Sequence, residues 1–383
     1  MPPHIEPDAL DNRLLPLTIF SVRHLQKGLA MPKETMTPRE RWLAVINRKK
    51  PDRVPMDFQS TGEVQEKMKK HFKTDNMHAI FDQLHIDYRV GVGPKYTGPA
   101  VPADSDIYGC RYRDIQYEGG SYRECVYHPL AQYNSIDEIK KNYTWPSIDW
   151  YDYSGIPEQI KGQENHPIIG GGSEPFLTYK SLRGHEQAYM DLILNPEIVH
   201  YCLDKLFDFC YENTRRIHEA IPGKVDLSYV AEDLGSQEDL LISIPHIKEF
   251  LLPRMKRMVE LVHSAGAKSM WHSDGSIRKI LPDMIKIGQD ILNPIQWRCK
   301  DMERDKLKKD FGRQIILHGG VDNQHTLAFG TVKEVEEEVI YNLKVLGKGG
   351  GYILAPCHNI QPVSPVENII AMYKTGYEHG WVS

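Results

Sequence analysis

Short apolar segments alternate with amphipathic segments along most of the chain, most regularly from residue 166 onward. Each apolar segment has the length of a buried strand, and a segment with helical spacing follows nearly all of them. The pattern therefore predicts repeated strand–helix units. The predicted strands lie at 53–59, 87–94, 166–174, 225–231, 267–272, 290–296, 314–320 and 352–357.

The order of these segments predicts one closed barrel. Strand–helix alternation requires a parallel sheet, and this number of units favours an α/β fold of the (β/α)8 TIM barrel type. A doubly wound open sheet is the alternative, but the chain has neither the GxGxxG nor the GxxxxGK[ST] phosphate loop that it would need. We expect the triple glycine at 170–172 to allow close backbone packing near the barrel mouth instead.

Two parts of the chain lie outside the regular repeat. Residues 1–36 carry no convincing signal peptide and are interpreted as an N-terminal arm. Residues 97–165 form a long insertion after the second strand, and the alternation within 107–127 predicts a β-hairpin there. An insertion of this length is typical of a lid rather than of a structureless loop. We therefore expect a barrel at 37–383 with a lid-like insertion.

Composition excludes several classes of function. A formal net charge of −5 and a pI near 6.4 argue against a nucleic-acid-binding protein. No apolar run approaches the roughly 20 residues that a membrane-spanning helix needs. The six cysteines are scattered, which suits free or ligating thiols in a reducing cytoplasm. Cys110 and Cys125 are the exception, since they could face each other on the hairpin.

Polar and ionisable residues follow the predicted strands, at the end where barrel enzymes carry their chemistry. Burial of such groups is costly unless they bind a metal, a substrate or each other. This ring of residues is the predicted site. It contains Asp57, Gln59, Tyr96, Glu174, Glu232, Asp233, His272, Asp274, Gln296, His318, Asp322, Cys357 and His358.

Within this ring, His272 and Cys357 are predicted metal ligands. Zinc takes imidazole and thiolate in tetrahedral sites, and catalytic zinc has about three protein ligands and one open position. Glu232 or Asp274 is the expected third ligand. The alternative is structural, with His272 bonded to a buried carbonyl and Cys357 a small core residue. Their location at two strand ends of one barrel favours the metal site.

Other polar residues are expected to act on the substrate. Glu174 and Glu232 fit a proton-transfer or substrate-orienting pair, although structural ion pairs explain them equally well. A core histidine is the alternative for His318. The predicted catalytic residues are Glu174, Glu232, Asp233 and Tyr96, and the predicted substrate contacts are Asp57, Gln59, Trp271, Gln296 and His318.

The chain also contains a set of recognisable motifs besides the strand that ends at His272. They are TPRER at 37–41, DRVP at 52–55, ILNP at 291–294, CHNIQP at 357–362 and PVEN at 365–368. In this combination they resemble the uroporphyrinogen decarboxylase-like superfamily, and the likeness covers nearly everything from residue 37 to 380. The resemblance implies a (β/α)8 barrel, which agrees with the strand pattern.

The segment after the first strand bears on the activity that this resemblance implies. Uroporphyrinogen decarboxylases carry an arginine-rich segment there, which holds the substrate carboxylates. The corresponding FQSTGE at 58–63 has no arginine, which counts against porphyrinogen decarboxylation. The resemblance then points to the other large branch, the zinc-dependent methyltransferases that serve corrinoid proteins and include methanogenic and acetogenic enzymes.

Related barrels bind zinc through His-x-Cys, a Glu and a late Cys. The resemblance matches the His to His272 and the late Cys to Cys357, while the middle Cys falls on Asp274 and the Glu on Gln296. Thiolate ligands suit the activation of a thiol, whereas an oxygen-rich set suits Lewis-acid work on an ether or alcohol oxygen. The resemblance therefore implies zinc and an O-demethylating methyltransferase, which moves a methyl group from a methoxylated aromatic compound to the cobalt(I) of a separate corrinoid protein.

Three alternatives remain open at this point. They are a uroporphyrinogen-type decarboxylase, a methylcobalamin:thiol (coenzyme M) methyltransferase, and a non-enzymatic corrinoid-binding member of the superfamily. The chain lacks the DxHxxG corrinoid-binding pattern, so the corrinoid is expected on a partner protein. The other expected partner is a small-molecule methyl donor, and a homodimer is the oligomeric state that we consider.

Overall fold

The computed structural model describes residues 32–117 and 120–382, so most of the predicted N-terminal arm lies outside the described residues. The features below belong to the compact unit that begins at Glu34. The strands are β1 Val90–Val92, β2 Lys95–Tyr96, β3 Arg111–Tyr117, β4 Gly120–Tyr127, β5 Tyr151–Asp152, β6 Ile168–Ser173, β7 Leu227–Val230, β8 Lys268–His272, β9 Ile291–Asn293, β10 Ile316–Val321 and β11 Tyr352–Pro356.

Helices follow nearly all strands of the main sheet, and a 3-10 turn at Ile148–Trp150 and a π-helical turn at Ile247–Leu251 accompany them. The described α-helices are α1 Pro38–Ile46, α2 Gly62–Phe72, α3 Met77–Gln83, α4 Ile136–Asn142, α5 Ile156–Gln159, α6 Pro175–Arg183, α7 His185–Leu194, α8 Pro196–Ala220, α9 Ile244–His246, α10 Leu252–Ser264, α11 Leu281–Lys286, α12 Arg304–Phe311, α13 Thr326–Phe329, α14 Val332–Val345 and α15 Val366–His379. None of the described helices is long and apolar enough to cross a membrane.

Seven strands form one parallel sheet in the order β1-β6-β7-β8-β9-β10-β11. The predicted first strand closes this sheet, and we call residues 53–57 the closing segment. On one side the amide of Asp57 donates to the carbonyl of Leu354 at 2.9 Å, and on the other the amide of Asp87 donates to the carbonyl of Met56 at 2.7 Å. The predicted barrel is therefore confirmed.

The closing segment itself is less regular than the sequence predicts. It pairs with β11 through an isolated parallel bridge between Met56 and Leu354. Pro55 has no backbone N–H, so it cannot contribute a donor to a continuous ladder. The chain compensates with side chains, as described for Asp87 below.

The triple glycine in β6 allows close backbone packing, as predicted. Gly172 has φ +133°, and a Cβ atom placed on it would lie 1.9 Å from the carbonyl oxygen of Tyr229 in β7. A side chain at Gly172 would therefore push β6 away from β7. The register of β6 against β7 shifts between Ile169 and Gly172, and the glycine allows this irregularity near the barrel mouth.

The insertion between β1 and β6 contains the predicted hairpin. Strands β3 and β4 pair antiparallel, with Gln116 opposite Ser121 near the turn. A second small sheet joins β2 to β5. Cys110 and Cys125, at the base of the hairpin, are free thiols.

A buried ion cluster fastens the closing segment to the barrel. The Asp87 carboxylate accepts hydrogen bonds from Arg41 at 2.5 Å, from Arg53 at 2.7 Å and from the amide of Met56 at 2.9 Å. All three charged side chains are buried. A buried charge of this kind is tolerated only while its partners remain in place.

We expect Asp87→Ala to lower the free energy of unfolding by about 3–5 kcal/mol, because it removes the buried carboxylate that two buried guanidinium groups share. Arg41 then keeps Asp52, and Arg53 keeps the half-buried Glu34, as carboxylate partners. Chemical denaturation monitored by circular dichroism would measure the change.

The control is Glu158→Ala, which breaks an exposed pair with Lys161 and should cost no more than about 1 kcal/mol. Equal losses for the two variants would contradict the proposed role of Asp87.

Candidate active site

The site lies inside the barrel, directly above an apolar plug. Trp42 of α1 packs there against inward-facing residues of the strands, including Met270, Ile291 and Ile316. Successive side chains of a strand alternate between its two faces, so the residues two positions further on also face inward. They are His272, Asn293 and His318. Strand alternation therefore stacks a polar layer on the apolar one.

Hydrogen bonds join this polar layer into a chain that we call the relay. His272 Nδ1 lies 2.7 Å from Asn293 Oδ1, and Asn293 Nδ2 lies 2.7 Å from His318 Nδ1. His318 Nε2 lies 2.9 Å from Asp57 Oδ2, and Arg89 Nη2 lies 2.8 Å from the same oxygen. The relay leaves Nε2 of His272 to face the other side of the site.

His272 Nε2 meets a group of side chains that could hold a metal ion. Each of His272, Asp274 and His358 offers one donor atom, and these three atoms lie within 4.8 Å of one another. His272 Nε2 is 3.9 Å from Asp274 Oδ1 and 3.7 Å from Asp233 Oδ1, while His358 Nε2 is 3.6 Å from Asp274 Oδ2. We call His272, Asp274 and His358 the ligand triad.

The donor chemistry of the ligand triad fits a divalent cation. Two imidazoles and a carboxylate are ligands that zinc accepts in catalytic sites. Asp274 Oδ1 is buried and has no hydrogen-bond partner among the described residues. A buried carboxylate oxygen without a partner is costly, and a cation would satisfy it.

Backbone packing between two loops positions Asp274. A Cβ atom on Gly275, which has φ +85°, would lie 2.5 Å from the backbone carbon of Gly235. The amide of Ser276 donates to the carbonyl of Ser236 at 2.7 Å. Because the two backbones touch, the loop after β8 brings Asp274 next to Asp233 at the end of β7.

Acidic side chains beside the triad hold their protons unusually tightly. Burial and the nearby Asp233 raise the pKa of Glu174 to about 7, although His272 opposes the shift. Burial raises the pKa of Glu232 well above its usual value, even though its carboxylate accepts a hydrogen bond from the amide of Phe176 at 3.0 Å. Glu174 can therefore exchange a proton near neutral pH.

Several predicted site residues lie elsewhere. Cys357 is not part of the ligand triad: it is buried, and its Sγ donates to the carbonyl of Ile295 at 2.9 Å. Burial also raises the pKa of the Cys357 thiol well above its usual value, which favours the protonated form. Glu232 is likewise outside the triad, because its carboxylate is directed at the first turn of α6.

For three residues predicted to be catalytic or to contact the substrate, the structure shows other surroundings. Trp271 is fully buried because it alternates with His272 and so faces away from the barrel interior. His318 is also fully buried, enclosed between Asn293 and Asp57. Tyr96 lies in the β2–β5 sheet, and its hydroxyl donates to the carbonyl of Pro99 at 2.7 Å.

Two cavities open at the strand ends. One of about 380 Å³ is bordered by Asp274, His358 and Gln296, whose Oε1 accepts a hydrogen bond from the amide of Gly275. The other, of about 490 Å³, is bordered by Asp57 and Gln59 and by the aromatic side chains Phe58, Phe81 and Tyr88. Both volumes are typical of small-molecule sites.

Sequence reasoning missed the roles of His358 and Asn293. His358 follows Cys357 directly, and only the turn after β11 decides that the imidazole rather than the thiol faces the mouth. Asn293 belongs to the ILNP motif, and its signal was the position two residues beyond an inward-facing Ile291. An alternation count would have placed it beside His272.

Comparison with known proteins matches the chain to one family and to relatives with two different activities. The family described as "Uroporphyrinogen decarboxylase (URO-D)" matches residues 156–379. A uroporphyrinogen decarboxylase of Anaeromyxobacter sp. (strain Fw109-5) is 23% identical over 213 residues, which are 56% of this chain and 55% of that protein. A methylcobamide:CoM methyltransferase of Methanosarcina barkeri is 26% identical over 206 residues, 54% of this chain and 56% of that protein.

The chain thus spans about half the length of the curated relatives that it matches. A solved structure is similar over a longer stretch: a methyltransferase from Methanosarcina mazei has a TM-score of 0.63 and 20% identity, over 89% of this chain and 98% of that one. At this level of identity the likeness concerns the fold, and it supports the barrel described above.

Loop packing at Gly275 gives a test of how the triad is built. We expect Gly275→Ala to destabilise the protein by about 1–3 kcal/mol more than Gly266→Ala, because the new methyl group must displace the backbone of Gly235. Gly266 lies at the other end of β8 with φ +83°, and a methyl group placed on it would have nothing within 4 Å, so it reports backbone strain alone. Denaturation midpoints would compare the two, and equal midpoints would contradict the packing argument.

Proposed function

The chain belongs to the uroporphyrinogen decarboxylase (URO-D) family, and from that premise we propose that it is a corrinoid-dependent methyltransferase. Its donor is an O-methyl compound, specifically a methoxylated aromatic compound, and its acceptor is the corrinoid of a separate protein. The net reaction is O-demethylation. The observation that carries this proposal is the pairing of a nitrogen- and oxygen-rich ligand triad with a carboxylic acid that titrates near neutral pH.

The ligand triad supports chemistry on oxygen rather than on sulfur. Thiol-activating zinc sites use thiolate ligands, whereas His272, Asp274 and His358 offer imidazole and carboxylate. When bound, a zinc ion would supply a Lewis acid for the ether oxygen, and the partner's corrinoid would supply the acceptor of the methyl group. Asp233, 3.7 Å from His272, adds negative charge that favours a cation.

Glu174 is the proposed proton donor. It precedes α6 at the end of β6. The charges of His272 and Asp274 both influence the pKa of Glu174, which supports a location close to the triad. As the methyl–oxygen bond breaks, the departing oxygen takes the proton of Glu174 and leaves as a phenol. Burial and the neighbouring Asp233 keep Glu174 protonated until about pH 7, so the acid form is present at neutral pH.

The larger cavity supports an aromatic donor. Phe58, Phe81 and Tyr88 border it, and Phe58 and Phe81 are packed with ring centroids 5.0 Å apart. Gln59 provides an amide at the same wall. Aromatic walls with a few polar groups are typical of sites for small aromatic ligands. Porphyrinogen carboxylates would instead need free cations, and Arg89 at this cavity is already paired with Asp57.

Metal analysis tests the ligand triad. We expect purified protein to bind about one zinc per chain, and His358→Ala and Asp274→Ala to lower the affinity by at least roughly 100-fold, because each removes a direct ligand. Chelator competition with Co²⁺ as a spectroscopic probe would measure it. His325→Ala, which changes a histidine outside the triad, is the control. Wild-type protein without stoichiometric metal affinity would refute the proposed metal site.

Methyl transfer to reduced cobalamin tests the reaction. Methoxyarenes, methanol, methylamines and betaines would be offered as donors, and the loss of the cobalt(I) absorbance would be followed. We expect turnover with a methoxyarene and a rate that falls above about pH 7, because Glu174 must be protonated. Glu174→Gln should slow transfer by roughly 100-fold and abolish this decline.

Two outcomes would count against the proposal. Turnover of porphyrinogen without methyl transfer would identify a decarboxylase. Absence of methyl transfer from every donor, with metal bound and the chain folded, would favour a non-enzymatic corrinoid-binding protein.

A further inference from the structure

We infer that the relay fixes the proton of His272 on Nδ1, which leaves Nε2 with a free lone pair directed at the ligand triad. Asn293, His318, Asp57 and Arg89 are therefore positioning residues of the candidate metal site. The inference rests on the proposed function, since it concerns the same site. It adds that a residue three hydrogen bonds away controls whether His272 can act as a ligand.

The relay begins at a carboxylate that can only accept hydrogen bonds. Asp57 is buried, with Nη2 of Arg89 at 2.8 Å from its Oδ2 and Nε of Arg89 at 3.2 Å from its Oδ1. Burial opposes the charge, but Arg89 and His318 outweigh it and hold the pKa of Asp57 below its usual value. An ionised carboxylate has no proton to donate.

His318 must therefore donate from Nε2 to Asp57, across 2.9 Å. Burial lowers the pKa of His318, so the ring is neutral and carries one proton. With that proton on Nε2, Nδ1 of His318 is an acceptor. The tautomer of His318 is thus set by the charge of Asp57.

Asn293 transmits this choice to His272. Only the amide nitrogen of Asn293 can donate to Nδ1 of His318, at 2.7 Å. The amide oxygen is then directed at His272, and it can only accept, so His272 must donate from Nδ1. A neutral His272 then has no proton on Nε2, the nitrogen that lies 3.7 Å from Asp233 and 3.9 Å from Asp274.

The barrel itself keeps the relay aligned. His272 and Asn293 are register partners in the parallel pair of β8 and β9. β9 in turn pairs with β10, which carries His318, and β11 lies between β10 and the closing segment that carries Asp57. Residues that hydrogen-bond a metal-bound histidine without touching the metal typically contribute roughly 10–100-fold to metal affinity.

The decisive variant is Asp57→Leu, which keeps roughly the size of the side chain and removes the acceptor at the start of the relay. Nε2 of His318 then has no acceptor in Asp57, so the proton of His318 is no longer held there. His318 is free to donate from Nδ1 to a turned-over Asn293 amide, and the proton of His272 is no longer held on Nδ1. We expect Co²⁺ and Zn²⁺ affinity to fall by roughly 10–100-fold.

Asp191→Leu is the matched control. Asp191 is also a buried carboxylate paired with an arginine, Arg183, at 2.7 Å, but it lies in α7 outside the relay. It should leave metal affinity unchanged. If the two variants change affinity equally, the loss comes from removing a buried ion pair, and the relay has no special role.

Nitrogen NMR of the metal-free protein gives a second readout that needs neither metal nor activity. With ¹⁵N-labelled histidine, and with His272→Gln to assign the signals, wild type should show His272 protonated on Nδ1, and Asp57→Leu should show a substantial fraction protonated on Nε2. Finding the Nε2–H tautomer in the wild type would overturn the inference, even if Asp57→Leu does not fold.

The two proposals fail in different ways. Wild-type protein that shows the Nδ1–H tautomer but binds no metal would refute the proposed metal site and leave the relay intact. Wild-type protein that binds metal tightly, with affinity and tautomer unchanged in Asp57→Leu, would refute the relay and leave the metal site intact.

Discussion

The ion pair between Asp57 and Arg89 is the interaction on which the order inside the barrel depends. Below it, an apolar plug around Trp42 closes the barrel interior to water. A polar group just above such a plug must bond a neighbour, because leaving it unpaired costs roughly 1–3 kcal/mol. Arg89 makes Asp57 a permanent acceptor, and His318, Asn293 and His272 arrange their donors and acceptors in response.

The same barrel holds carboxylates in two opposite states. Arg89 and His318 hold the pKa of Asp57 low in spite of its burial, whereas burial and the charge of Asp233 raise the pKa of Glu174 to about 7. One acid thus serves as a fixed charge and the other as an exchangeable proton. Environments that separate the pKa values of neighbouring acids are a general way of assigning distinct roles to them.

A shared fold allows relatives to carry different chemistry at the strand ends. Both a decarboxylase and a methyltransferase are similar to this chain over about half their length, so the activity has to be argued from side chains. Here the mouth presents His358 and Asp274, while the thiol of Cys357 is turned inward. The absence of arginine from 58–63 and the pairing of Arg89 leave the first strand end poorly suited to a polycarboxylate.

The sequence alone was enough to predict the barrel, since strand–helix alternation translates directly into a parallel sheet. It also placed His272 and Asp274 at the end of a strand. It also predicted the hairpin and the close packing at the triple glycine. It could not decide between Cys357 and His358, because the turn after β11 selects which side chain reaches the mouth. Nor could it connect Asp57 to His272, since those residues are far apart in the chain and meet only when the barrel closes. The periodicity of a strand or helix depends on residues that are neighbours in the sequence. The burial, tautomer and pKa of a side chain depend on the residues that the closed barrel brings into contact with it.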